Sequence, residues 1–131
     1  MGTLEYYQKN ELYKKLLEPN KIDYSKILSR KLLPDEAILS IKDKVLCIVE
    51  RKSHENTRFV YEDLQACNFR NQQYKKLFAP LDIAVKYVYI LSDYFRKKEY
   101  KDVLDYVKSV GCYYFFNKLP MEFLDCPENL Q

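Results

Sequence analysis

Asp35, Glu50 and Lys52 are the residues of this 131-residue chain whose types and spacing can do chemistry. They lie in PDEAILSIKDKVLCIVERK, residues 34–52, where two apolar runs flank the polar pair Lys42-Asp43. A polar break of that length between two such runs predicts a β-hairpin. With the turn centred on Lys42-Asp43, Ile41 faces Lys44 and Asp35 faces Glu50. Side chains alternate with a period of two, so Glu50 and Lys52 emerge on one face of their strand and Arg51 on the other. The two carboxylates and the lysine therefore converge. Carboxylates about 5 Å apart repel and raise one another's pKa, which a structure offsets with a bound cation or a shared proton. Oxygen ligands with open positions favour Mg²⁺, with Mn²⁺ as a substitute, because these ions take the rest of their shell from water and a phosphate substrate. A second reading stays open. Asp35 can simply open a strand after Pro34, and Glu50 and Lys52 can be solvent-facing charges paired for under about 1 kcal/mol.

The elements that must hold these residues follow from the apolar pattern. Residues 4–17 predict a helix, with Leu4, Tyr7, Leu12, Tyr13, Leu16 and Leu17 near one stripe and Pro19-Asn20 as its stop. Residues 24–33 are ambiguous, and 26–33 can supply a short strand leading into the hairpin. The unbroken run from Val45 to Val49 suits a strand buried on both faces. A helix follows over about 61–78, then a strand at 83–91 in IAVKYVYIL. A second helix over 97–110 is closed by Gly111, and CYYFFN predicts a last strand at 112–117. This order predicts an α/β fold, a mixed β-sheet with a central hairpin flanked by helices, in a single domain over 1–131.

Composition removes several kinds of chemistry. Only two glycines are present, so a Gly-rich phosphate cradle of the P-loop or Rossmann kind is excluded. Four cysteines stand singly, without a C-x-x-C pair, and His54 is the single histidine, which argues against zinc and against Ser-His catalysis. The sequence begins MGTLEYYQKNELYKKLLE, charged throughout and without the apolar core of a signal peptide. No run is long enough to span a membrane, so the expectation is a cytoplasmic protein. The net charge of +3 is unevenly placed, with lysines and arginines crowded before Asp35 and after the hairpin. That arrangement suits a phosphate-rich partner.

The combination of Pro34-Asp35 with Glu50-Arg51-Lys52 at a strand end, followed by a helix and a strand, resembles the PD-(D/E)XK nuclease superfamily, especially its type II restriction-endonuclease-like members. The likeness covers about residues 4–118, and LQACNFRNQQYKKLFAPLDIAVKYVYILSDYF is similar to small bacterial proteins assigned to that group. In the motif, Asp35 matches the first acid, Glu50 the second and Lys52 the lysine. Glu5 or Glu11 would match an additional acid on the first helix, and Glu5 is favoured because Tyr6-Tyr7 follow it. Ser53-His54 stand where related sequences often carry an aromatic-Gln pair. The short chain is close in size to Holliday-junction resolvases of the same superfamily.

The resemblance implies a restriction-endonuclease-like core and a Mg²⁺-dependent DNA endonuclease, a hydrolase of phosphodiester bonds. Asp35, Glu50 and the backbone carbonyl of Arg51 would hold the metal. Lys52 would orient the attacking water and stabilise the phosphoryl oxygen, and Glu5 would orient Lys52 or complete the metal shell. Arg30, Lys31, His54, Arg58, Arg70, Lys75 and Lys76 flank the hairpin and its following helix and are the candidate DNA contacts. One domain cuts one strand, so double-strand cleavage implies a homodimer. The alternatives are a junction resolvase, a catalytically silent DNA-binding domain of the same fold, and a structural module whose tyrosine-rich surface contacts another protein.

Overall fold

Strand β3 (Val45–Lys52) occupies the middle of a five-stranded mixed sheet in a computed structural model that describes residues 3–53 and 59–125. Its neighbours are β2 (Glu36–Ser40), antiparallel, and β4 (Ala84–Leu91), parallel. Strand β1 (Leu4–Gln8) pairs antiparallel outside β2, and β5 (Tyr113–Phe116) pairs parallel outside β4. The β2–β3 register opposes Glu36 to Val49 and Ser40 to Val45, which is the register expected from a turn centred on Lys42-Asp43. The reversal spans residues 41–44. The Lys44 amide donates to the Ser40 carbonyl at 2.9 Å, and Lys44 closes the turn with a left-handed φ of 54°.

β3 is covered on both faces, as its unbroken apolar run requires. Leu46 and Ile48 join Ala37, Leu39, Tyr87, Tyr89 and Leu91 in the main core. Helical elements close that side, chiefly the short segment Leu12–Leu17, α1 (Val60–Gln65), α2 (Cys67–Phe78) and α3 (Lys101–Ser109). Cys47 and Val49 face the other way, onto Ile38, Val88 and Ile90, where Phe123 and Leu124 of α4 (Met121–Asp125) cover them. Both parallel connections, α1–α2 between β3 and β4 and α3 between β4 and β5, thus lie on one face. No helix among the described residues is long and apolar enough to cross a membrane.

Three expectations need correction. Residues 4–17 are not one helix: LEYYQ forms β1, Lys9 reverses the chain with φ 48°, and helix is confined to Leu12–Leu17. Aromatic residues and pairing to β2 outweigh the approximate helical stripe. Residues 26–33 form no strand: Lys26 ends a 3-10 turn, and the Tyr13 hydroxyl takes up the backbone of Leu32, donating to its carbonyl and accepting from its amide. The helix expected over 61–78 is broken at Ala66 into α1 and α2.

Candidate active site

Asp35 and Glu50 meet at the end of the hairpin, where the chain leaves Pro34 and enters β2. The Asp35 amide donates to Glu50 Oε1 at 3.3 Å, and the Arg51 amide donates to Asp35 Oδ2 at 2.8 Å. Each acid is thus tied to the backbone of the opposite strand. Lys9, from the turn after β1, reaches the other oxygen of Asp35 at 2.8 Å.

The pair splits electrostatically. Burial and the Asp35 charge push the Glu50 carboxyl up to about 7, against the opposing pull of Lys52 and Arg70. Burial also works against Asp35, but the Lys9 ammonium and the Arg51 amide outweigh it and hold that carboxyl below the usual range. A neutral acid and an ionised acid side by side form a shared-proton arrangement. A divalent cation offers the same relief and favours both ionised forms, so the donor set fits a hard cation: two carboxylates with the Arg51 carbonyl next in the chain. Among the described residues no group of three or more acidic, histidine or cysteine side chains is placed to hold a metal.

Lys52 leaves β3 on the Glu50 side, while Arg51 projects to the opposite face and pairs with Glu36 at 2.8 Å. The Lys52 ammonium lies 3.0 Å from Asp63 Oδ2 in α1. Arg70, one turn into α2, reaches Asp63 Oδ1 at 3.2 Å, so a single carboxylate holds two cations from different elements. Burial opposes ionisation of Asp63, but the two cations prevail and keep its carboxyl below the usual range. The Tyr89 hydroxyl donates to the Asp63 carbonyl at 3.0 Å and fixes that turn of α1 on the sheet. Tyr87 directs its hydroxyl at Glu50 Oε2 across a long 3.5 Å contact, and burial followed by the Glu50 charge raises the Tyr87 pKa. It remains a neutral donor.

The other expected residues fall in different places. Glu5 sits on β1 opposite Leu39, about 13 Å along the sheet from the Asp35 position. It accepts from the Tyr7 hydroxyl at 2.6 Å and takes no part in the carboxylate pair. Glu11 precedes the Leu12–Leu17 segment, where its side chain accepts from the Gln8 amide at the end of β1 at 2.9 Å and pairs with Lys15. An acid from a first helix is therefore not brought to the pair. Lys31 lies over the Tyr13 and Tyr24 rings, 4.5 and 5.7 Å from their centroids, and Arg30 is exposed beside it. Lys75 and Lys76 are exposed in the last turn of α2, about 7.5 to 9 Å farther along the axis than Arg70. His54 and Arg58 lie outside the described residues.

Sequence reasoning missed Lys9, Asp63 and Tyr87. Asp63 carried a usable signal, because it stands seven positions before Arg70, two turns along a helical face, with apolar Leu64 and Cys67 turned inward. Lys9 was hidden by its assignment to a helix that does not form. No family model, curated protein or solved structure matches the chain.

Proposed function

We propose that this chain is a Mg²⁺-dependent DNA endonuclease of the PD-(D/E)XK, restriction-endonuclease-like kind. The observation that carries the reading is the pairing of Asp35 with Glu50 across the hairpin end, with Lys52 on the Glu50 side and Arg51 turned away. Asp35, Glu50 and the Arg51 carbonyl would hold the cation. What Mg²⁺ supplies when bound is a more acidic water and positive charge beside the phosphoryl oxygens.

The chain's own residues do the rest. Lys52 directs its ammonium to the attacking water and to the oxygen on which charge grows. Glu50 enters the reaction ionised, so its proton must leave first. Asp63 fixes where Lys52 and Arg70 point, and Tyr87 keeps a neutral donor against Glu50. Water has limited access because Glu50 is half-buried between the hairpin end and the helices. One such site cuts one strand, so cutting a duplex requires two copies related by a two-fold axis.

A second reading has its own support. Lys9 already neutralises Asp35 and Asp63 already neutralises Lys52, an arrangement that also suits a DNA-binding domain that does not cut. Incubation of the protein with plasmid and with four-way-junction DNA, in Mg²⁺ or in EDTA, separates the possibilities. Cleavage only with Mg²⁺ is the expected result, and preference for the junction would make the enzyme a resolvase. Binding without cleavage selects the second reading. If DNA is neither bound nor cut, both are wrong.

A further inference from the structure

Among the described residues one hollow lies at the carboxyl ends of β3 and β4, and two more lie along β5. The first, about 380 Å³, is lined by Arg51, Lys52, Ile90, Leu91, Ser92 and Asn117, and so shares Lys52 with the candidate site. Ser92 Oγ is buried there without a hydrogen-bond partner among the described residues. The second, about 340 Å³, lies between residues 95–98, the start of α3 and Phe116. The third, about 570 Å³, shares Arg96 and Phe116 with it and runs to Lys118. Strands β3 and β5 are two spacings apart, about 10 Å, which is the axial length of about three base pairs.

The charge along this edge is one-sided where it matters. Four cations and a single carboxylate line the second hollow. Arg96 is held in place from two directions: its guanidinium stacks 4.1 Å from the Phe116 centroid, and its Nε donates to Asp93 at 2.7 Å. Asp93 is in turn fixed by Asn117 Nδ2 at 2.9 Å. Lys97 lies 3.9 Å from the Tyr94 centroid, and Lys101 is mostly exposed although it pairs with Asp105 at 2.8 Å. A preset guanidinium that shares a hollow with two accessible ammonium groups suits successive phosphodiesters better than a compact anion. Ligands of parallel α/β sheets also bind at the carboxyl ends of the strands.

We infer that the carboxyl edge of β3–β5 is the docking track for the DNA strand flanking the candidate site, with Arg96, Lys97 and Lys101 on its phosphates. The choice of polymer rests on the nuclease reading; the track itself rests on the hollows and their charges. It departs from the docking face expected from sequence, since Lys75 and Lys76 stand at the far end of α2.

The test compares two exposed pairs of equal charge. Lys97→Gln/Lys101→Gln alters the track, and Lys75→Gln/Lys76→Gln alters the far end of α2, both in an Asp35→Asn background that keeps the DNA intact. Binding of a short fluorescein-labelled duplex is followed by anisotropy over a range of salt. The track pair is expected to flatten the log–log salt slope by about 1.8 units, about 0.9 for each phosphate that is no longer neutralised, and the α2 pair to leave it unchanged. Equal effects of the two pairs, a larger effect of the α2 pair, or no binding by the parent protein would each overturn the inference. Cleavage by otherwise wild-type protein, with and without Asp35→Asn alone, is scored separately. If Asp35→Asn cuts as fast as wild type while the track pair still flattens the slope, the carboxylate site is wrong and the track stands.

Discussion

The Lys52 ammonium lies 3.0 Å from Asp63 Oδ2, which joins the end of the central strand to the first helix of the crossover. Because Arg70 shares the same carboxylate at 3.2 Å, Asp63 sets the position of two cations at once. Asp63→Asn keeps the size of the side chain but removes the charge. It is expected to slow single-turnover cleavage by up to about a hundredfold with little change in DNA affinity. Asp63→Glu should restore most of the rate. A loss confined to affinity, or no rescue by glutamate, would show that Asp63 does not position Lys52.

Glu50 makes stability fall as pH rises. The folded protein keeps this carboxyl neutral up to about pH 7, whereas the unfolded chain ionises it near 4.5. Native protein therefore binds more protons through that window, so stability declines across it and stays reduced above it. Glu50→Gln removes the dependence and should stabilise the protein at pH 8 by at most about 3 kcal/mol, with little effect at pH 4.5. Thermal melts at the two pH values check this, and an equal shift at both would exclude a raised Glu50 carboxyl.

Lys52 and Arg51 are adjacent cations on opposite faces and should behave differently. Lys52→Ala is expected to cost roughly 2 to 4 kcal/mol of transition-state stabilisation, read as kcat/KM on one DNA substrate. Arg51→Ala removes a side chain that pairs with Glu36 and leaves the backbone carbonyl in place, so turnover should stay within a few-fold. Equal losses would contradict the register as the source of function.

Lys9 competes with any other cation for Asp35. Replacing this exposed lysine with glutamine removes the ammonium at 2.8 Å. Mn²⁺ affinity, measured by calorimetry, should rise by up to about fivefold, the equivalent of a surface ion pair. The Asp35 carboxyl should move up toward its usual value, so acid unfolding begins at a higher pH. Unchanged Mn²⁺ affinity would place the metal elsewhere.

The hairpin was legible because its signals are local. The apolar runs on either side of a polar break at Lys42-Asp43 specify pairing between neighbours in the chain, and the observed register follows from a turn centred there. β1 was not legible, because Leu4, Tyr7 and Leu12 fit a helical stripe as well as LEYYQ fits an edge strand. The tie between Lys9 and Asp35 spans 26 positions and that between Tyr13 and Leu32 spans 19, distances over which periodicity carries no information. The same limit applies to Asp63: its helical face can be read from spacing, but its meeting with Lys52 depends on how the crossover lies on the sheet.

The two sides of the candidate site differ in how the chain must assemble them. Asp35 and Glu50 come together when one short reversal at 41–44 closes, a local event of low entropic cost. The Lys52–Asp63–Arg70 group gains its frame only when β4 docks parallel to β3 and Tyr89 donates to the α1 carbonyl, after a much longer loop has closed. In a refolding experiment the carboxylate pair should therefore form early and the cation group late. Substitutions at the Ser40–Val45 turn would slow folding, whereas those at Tyr89 would mainly hasten unfolding.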